Sequence, residues 1–371
     1  MRSATDPPLG GLEGNNLRRG FAKERRRGQR RRSATSPARD LDWLLPVAAI
    51  TAIELGLWLF AWRAGAASSP LFTRYGTIGY LILSVAGLVA FLYQLSIMAL
   101  RREPHPLRCS AEMIRNNGLR ILIIVVAVQL NVLSGAAFSA IKTAMPNLIP
   151  YWVDPYAVAF EQRLFGADPY LLSQRLFGWA TPAIDFVYAT WLAVQIVAFY
   201  VLVLLKPSPL KTRALLSHSL SWLILGIVGA YLLSSVGPIF YDRVYGGHEF
   251  AGLLGTLDHA PVATQTSDML WRAYSLHTKE IASGISAMPS LHVAMAFWLA
   301  MVVRAGCPRG QFLAWIYFGL ICLGSVHLGW HYVSDGVIGT AGAALIWGIA
   351  GRLVHGVPPK NGAEVFAQAG S

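Results

Sequence analysis

The strongest constraint on this chain is a series of apolar stretches, most of them at or above the roughly 20 residues that carry a helix across a bilayer. They fall at about residues 43–62, 77–100, 119–141, 180–205, 217–240, 288–303, 311–329 and 331–351. In water-free hydrocarbon every backbone N–H and C=O must be paired internally, which leaves helices and closed barrels. These stretches are too long and too continuously apolar for barrel strands. The sequence therefore predicts an all-α integral membrane protein with about eight transmembrane helices. Composition points the same way. Charged residues are 13% of the 371, against 54% hydrophobic, about half the charged share usual for soluble domains. A cytosolic enzyme and a disulfide-stapled secreted domain are both excluded.

Positive charge is unevenly placed. Eleven of the 31 Lys and Arg lie within residues 1–42, with runs at Arg25–Arg27 and Arg30–Arg32. That segment has few large apolar residues, so it reads as a disordered tail. Beside a membrane span, such a tail is expected to lie in the cytoplasm and touch anionic lipid, not nucleic acid. With the N-terminus inside and eight spans, 23 of the 31 basic residues fall on the cytoplasmic side. Both termini are thus expected in the cytoplasm of a cell (inner) membrane. The chain divides into the tail 1–42, two accessory spans within 43–118, a six-helix core at 119–352 and a C-terminal tail at 353–371. Residues 142–178, with Tyr151, Trp152, Tyr156 and Tyr170, are expected as helices in the membrane interface. Residues 241–286 read as an extracytoplasmic loop or lid.

Two of the nine histidines stand in patterned surroundings near helix starts. In Gly284-Ile285-Ser286-Ala287-Met288-Pro289-Ser290-Leu291-His292, Pro289 suits the first turn of a helix, with Met288 or Ser286 at the boundary. His292 then sits in the opening turn, near free N–H groups that attract anions. In the second pattern His331 and Asp335 are four apart, and on a helix they share a face. A carboxylate that accepts one ring N–H leaves the other nitrogen free to attack. Deep in a membrane an unpaired carboxylate costs on the order of 3 kcal/mol, so Asp335 needs a partner. The predicted topology puts His292, His331, Asp335, Lys142 and Arg243 on the same, outer side. Nucleophilic and acidic imidazoles beside basic residues suggest phosphoryl transfer.

Pro289–His292 and the run Gly329-Trp330-His331-Tyr332-Val333-Ser334-Asp335 resemble the second and third motifs of the type 2 phosphatidic acid phosphatase (PAP2) and haloperoxidase superfamily. The resemblance covers roughly residues 120–352, a PAP2-like catalytic core. It is nearest to the branch of inositol phosphoceramide synthase-like proteins, which Tyr188, Trp191, Gly237, Pro238 and Tyr241 also resemble. It implies that His331 forms a phosphohistidine, that Asp335 orients it, and that His292 serves first as acid and then as base. It implies a lipid phosphate ester as substrate, at the extracytoplasmic face, and neither metal nor cofactor. Water as acceptor makes a phosphatase; a sugar or polyol hydroxyl makes a phosphotransferase. Both stay open. The Ser-Arg that usually opens the third motif is Gly324-Ser325 here, and the first motif is only echoed by Lys142 before Met145-Pro146. Lys142, Arg243 and Ser290 are the candidates for binding the phosphate.

Other features have plainer expectations. His327, His331 and Asp335 at four-residue spacing offer a metal-site alternative. Glu54, inside the first span, is expected to pair within the bundle. Asp185 reads as an N-terminal helix charge. Gly336, Thr340, Ala344 and Gly348 form a small-residue stripe suited to close helix packing. Cys109, Cys307 and Cys322 read as unpaired. A different class of function, an inactive transporter or scaffold, would leave the histidines as packing groups.

Overall fold

The computed structural model describes residues 37–67, 70–278 and 284–355. Most of the basic N-terminal tail, nearly all of the C-terminal tail and Lys279 lie outside them. The chain is all helical among the described residues. α1 (Leu41–Arg63), α2 (Pro70–Leu100), α3 (Pro106–Asn116) and α4 (Gly118–Leu148) come first. α5 (Asp154–Phe165), α6 (Pro169–Phe177), α7 (Thr181–Ala189) and α8 (Trp191–Leu204) follow. α9 (Pro209–Ser221) continues through a π-helical stretch, Trp222–Gly229. Then come α10 (Pro238–Tyr245), α11 (Ala251–Thr256), α12 (Pro261–Ser275), α13 (Leu291–Gly306), α14 (Gln311–His327) and α15 (Val333–His355).

Among the described residues, seven helices or helix runs are long and apolar enough to cross a membrane: α1, α2, α4, the run Pro169–Leu204, Pro209–Leu232, Pro308–His327 and Val333–Val354. α13 has the same apolar character but only 16 residues. Continuous apolar length, not a polar/apolar alternation, makes these helices, as expected for elements surrounded by either lipid or protein. α9 is the most interior, with 61% of its most apolar window buried, whereas α2 has 6% and lies at the periphery. The core joins Trp43 of α1, Ile123 and Ala127 of α4, Phe199 of α8, Leu215 of α9, Trp298 of α13 and Trp347 of α15.

Three expectations are corrected. The described part of residues 241–286 is not an irregular loop: α11 and α12 occupy much of it. α12 forms because an acid from elsewhere caps it. Asp185 lies within α7, and its carboxylate accepts the Val262 and Ala263 N–H groups at 2.8 and 2.9 Å. These are the orphan donors of α12's first turn, so Asp185 serves another helix's N-terminus instead of its own. The small-residue stripe on α15 has the wrong phase. Ala344 is exposed, while Gly339, Ala343, Trp347 and Ala350 are buried. The buried face is the one that carries Asp335, and Gly339, four residues on, lets α15 approach the Ser290 backbone; a Cβ there would lie 2.4 Å from the Ser290 carbonyl oxygen. Glu54 is fully buried in α1, the helix that packs along α4.

Candidate active site

The site lies where the N-termini of α13 and α15 meet. Ser290, fully buried, is the N-cap of α13, and its Oγ accepts the Val293 N–H at 3.3 Å. A serine hydroxyl satisfies one orphan N–H of a helix start well. Pro289 therefore lies just before the helix, and Ser290, not Met288 or Ser286, is the boundary. The Ser290 N–H donates to the Asp335 carbonyl at 3.0 Å, which ties the two motifs together. His292 is the second residue of α13. Its ring stacks on Tyr188 at 4.9 Å and meets Trp191 at 4.1 Å.

His331 is not on a helix. It sits in the turn between α14 and α15, its N–H bonded to the Ser325 carbonyl at 2.9 Å. Gly329 starts that turn with φ +71°, a conformation glycine adopts freely. Asp335 is in the first turn of α15, and its Oδ2 accepts the Tyr332 N–H at 3.1 Å. The same oxygen lies 3.3 Å from His331 Nδ1. The four-residue spacing thus produces the expected contact through a helix-capping turn, not along a helix face. His331 Nε2 lies 3.2 Å from His292 Nδ1. When the Nδ1 proton faces Asp335, Nε2 carries the lone pair and accepts from His292 Nδ1–H. Both imidazoles and the carboxylate are thereby joined in one chain of contacts. Asp335 is fully buried, and its Oδ1 has no hydrogen-bond partner.

Burial, with the charge of Lys142 nearby, lowers His331 from 6.5 to about 3. The ring is neutral at pH 7, as a nucleophile requires. Lys142 sits late in α4 with its ammonium over the Phe138 ring at 5.6 Å. Gly284, in the loop before Pro289–His292, packs against it; a Cβ at Gly284 would lie 2.6 Å from Lys142 Cγ. Arg243 is placed differently. It pairs with Asp268 at 3.5 Å and lies over Trp271 at 5.5 Å. His327 is fully buried with Nε2 at 2.9 Å from Thr181 Oγ1, so it faces α7 and not His331. No three His, Cys, Asp or Glu side chains among the described residues are grouped to hold a metal ion.

Two acids that the sequence did not single out stand around His331. Glu161 of α5 is buried and accepts the Ser334 N–H and Oγ–H at 2.7 and 2.9 Å. It thereby caps α15, the helix that carries Asp335. Burial raises its carboxyl above the usual value, with the nearby Asp335 charge adding to the effect and the Ser334 bonds opposing it. Asp154, the first residue of α5, is fully buried and accepts from Ser235, Val236, Gly237, Tyr245 and Tyr332. The signal available in sequence was a lone acid among apolar neighbours, Tyr151-Trp152-Val153-Asp154-Pro155. Such an acid must find donors, but nothing local says which. A cleft reaches His331 between Glu161, Asp168, Tyr170, Phe250 and Tyr332.

Comparison with known proteins gives one positive finding. The family model described as PAP2 superfamily matches residues 158–349. No curated protein and no solved structure gives a match.

Proposed function

The chain belongs to the PAP2 superfamily, and from that premise we propose that it transfers the phosphoryl group of a lipid phosphate ester through His331. The observation that carries the reading is the contact chain Asp335 Oδ2–His331 Nδ1 at 3.3 Å and His331 Nε2–His292 Nδ1 at 3.2 Å. His331 Nε2 attacks phosphorus, and the bond from phosphorus to the leaving oxygen breaks. His292, protonated by the arriving phosphate monoanion, gives that oxygen a proton. Asp335 supports the positive charge that the attacking ring acquires. In the second step His292 takes a proton from the acceptor hydroxyl, whose oxygen attacks phosphorus and releases His331. Reacting atoms start about 3–3.5 Å apart, so the phosphoryl group must part the two rings before attack. Their separation of 3.2 Å describes the site closed on itself.

The acceptor is water in a phosphatase and a polyol or sugar hydroxyl in a headgroup transferase. Packing of Tyr188 and Trp191 against His292 favours the inositol phosphoceramide synthase-like branch, to which those residues pointed. Lys142 is the cation that supports phosphate binding; Ser290 supports it through the helix start that it caps. Arg243, engaged by Asp268, is a weaker candidate. The distribution of Lys and Arg supports a site facing the extracytoplasmic leaflet. The test is phosphate release from phosphatidic acid, and headgroup exchange with added polyols, by the purified protein. Loss of both in His331→Ala is expected. Full activity in that variant would overturn the assignment.

A further inference from the structure

The turn between α9 and α10 touches both histidine loops. The Ser235 carbonyl accepts the Ala287 N–H at 2.8 Å, five residues ahead of His292. The Ile239 N–H donates to the Gly329 carbonyl at 2.8 Å, two residues ahead of His331. Gly237 lies directly against the backbone of Trp330. Its φ is +82°, and a Cβ there would stand 2.6 Å from the Trp330 carbonyl oxygen. Beside the direct Ser290–Asp335 bond, the turn is therefore a second bridge between the two histidine loops.

Asp154 holds that turn. Its Oδ1 accepts Ser235 Oγ–H at 2.9 Å and the Gly237 N–H at 2.8 Å, and both oxygens share the Val236 N–H at 3.1 and 3.0 Å. It also accepts the Tyr332 hydroxyl at 3.2 Å and the Tyr245 hydroxyl at 3.1 Å. Tyr332 follows His331 directly in the chain. A carboxylate is acceptor-only, with about four lone-pair sites. It suits a pocket made wholly of donors, where an amide would turn its NH₂ toward another N–H or O–H.

We infer that Asp154 is a positioning residue that sets the separation of the loops carrying His292 and His331, acting through the Ser235–Gly237 turn and through Tyr332. The inference rests on the histidine roles proposed above. Asp154 lies four residues ahead of the segment that the family model matches. Holding the two backbones fixed leaves the rings free to turn apart around an arriving phosphoryl group, which is positioning in the sense that matters for in-line transfer.

Orthovanadate, which becomes five-coordinate when a nucleophile bonds to it and then mimics a phosphoryl group in transfer, is the probe. Its affinity is read from the rise in thermal unfolding midpoint of the full chain in detergent, beside turnover of phosphatidic acid. Wild type is expected to bind and His331→Ala to fail. Asp154→Asn is expected to lose about 10-fold or more in vanadate affinity and in kcat. Tyr332→Phe is expected to lose a few-fold, and Tyr245→Phe nothing. The two tyrosines donate to the same carboxylate, so a merely structural role for Asp154 would make them equivalent. Wild-type vanadate binding by Asp154→Asn, or equal behaviour of the two tyrosine variants, overturns the inference. Should Asp154→Asn fail to fold, the tyrosine pair decides. If His331→Ala binds vanadate like wild type, the histidine roles fall and this inference falls with them. If only the Asp154 and Tyr332 variants behave as wild type, this inference falls alone.

Discussion

Each end of the bundle buries an aspartate, and the two are satisfied in opposite ways. Asp40, just ahead of α1, is 1% exposed between Lys211 at 2.6 Å and Arg120 at 3.6 Å, with the Trp43 indole N–H at 2.7 Å. Both cations also reach the carboxyl end of α8: Lys211 donates to Val203 and Leu205, and Arg120 to Leu204 and Leu205. Orphan carbonyls of one helix and the carboxylate beside another are thus closed by the same two side chains. Asp335, at the other end, receives one imidazole nitrogen and one backbone N–H, and its Oδ1 has none. A buried charge with a cation at each oxygen is a staple. A buried carboxylate kept short of donors leans on the imidazole it holds, and so can answer a charge that appears on that ring.

The contrast is broken or sharpened most strongly by Asp335→Asn. The amide keeps the shape but favours the wrong His331 tautomer. Turnover of phosphatidic acid is expected to fall about 10³- to 10⁴-fold with little change in thermal midpoint in detergent. Retained turnover would reduce Asp335 to a helix cap. Next in size is Lys211→Ala, which leaves Asp40 without its nearest cation. Breaking a buried pair this way costs about 3 kcal/mol or more, so the midpoint is expected to drop while kcat per folded molecule stays at the wild-type value. A parallel loss of kcat would mean that the two ends are coupled.

A smaller effect is expected at Gly324, where a Cβ would lie 2.9 Å from Tyr188 Cδ2. The Tyr188 ring is the one stacked on His292. Gly324→Ala should push it, displace the His292 ring and lower kcat about 10-fold. In a Tyr188→Ala background the added methyl has room, so Gly324→Ala should then change nothing further. Additive losses would disconnect Gly324 from His292. This position is one where the usual third motif has serine. The departure that made the motif look incomplete in sequence is, in the fold, the space that the tyrosine occupies.

How far the sequence reaches depends on the distance over which a residue finds its partners. The helices were legible because apolar length is a local property. His331 and Asp335 were legible because four residues separate them, although a turn and not a helix joins them. His292 was legible only through a motif. Asp154 was not, because its donors lie 81 to 178 residues further along the chain. Arg243 looked free because Asp268 and Trp271, its neighbours in space, sit on α12, a helix that reads as loop until Asp185 is seen to cap it. The α15 stripe misled for a related reason: small residues mark a close approach only on the face that Asp335 turns inward.

The smallest expected effect separates the two ends by their response to acid. Burial lowers His331 from 6.5 to about 3, whereas a free imidazole in the unfolded chain titrates near 6.5. Between those values the unfolded chain binds a proton that the folded one does not. The stability tied to this group is therefore present above about pH 6.5 and is lost as pH falls toward 3, at up to about 1.4 kcal/mol per pH unit. His331→Ala has no such proton to exclude. Its thermal midpoint in detergent should fall less steeply than that of wild type between pH 6.5 and 5. Lys211→Ala leaves His331 in place and should keep that group's contribution to the slope, from a lower starting point. Equal slopes for wild type and His331→Ala would mean that the folded protein holds His331 as the cation, and the imidazole paired to Asp335 would then have no lone pair with which to attack phosphorus.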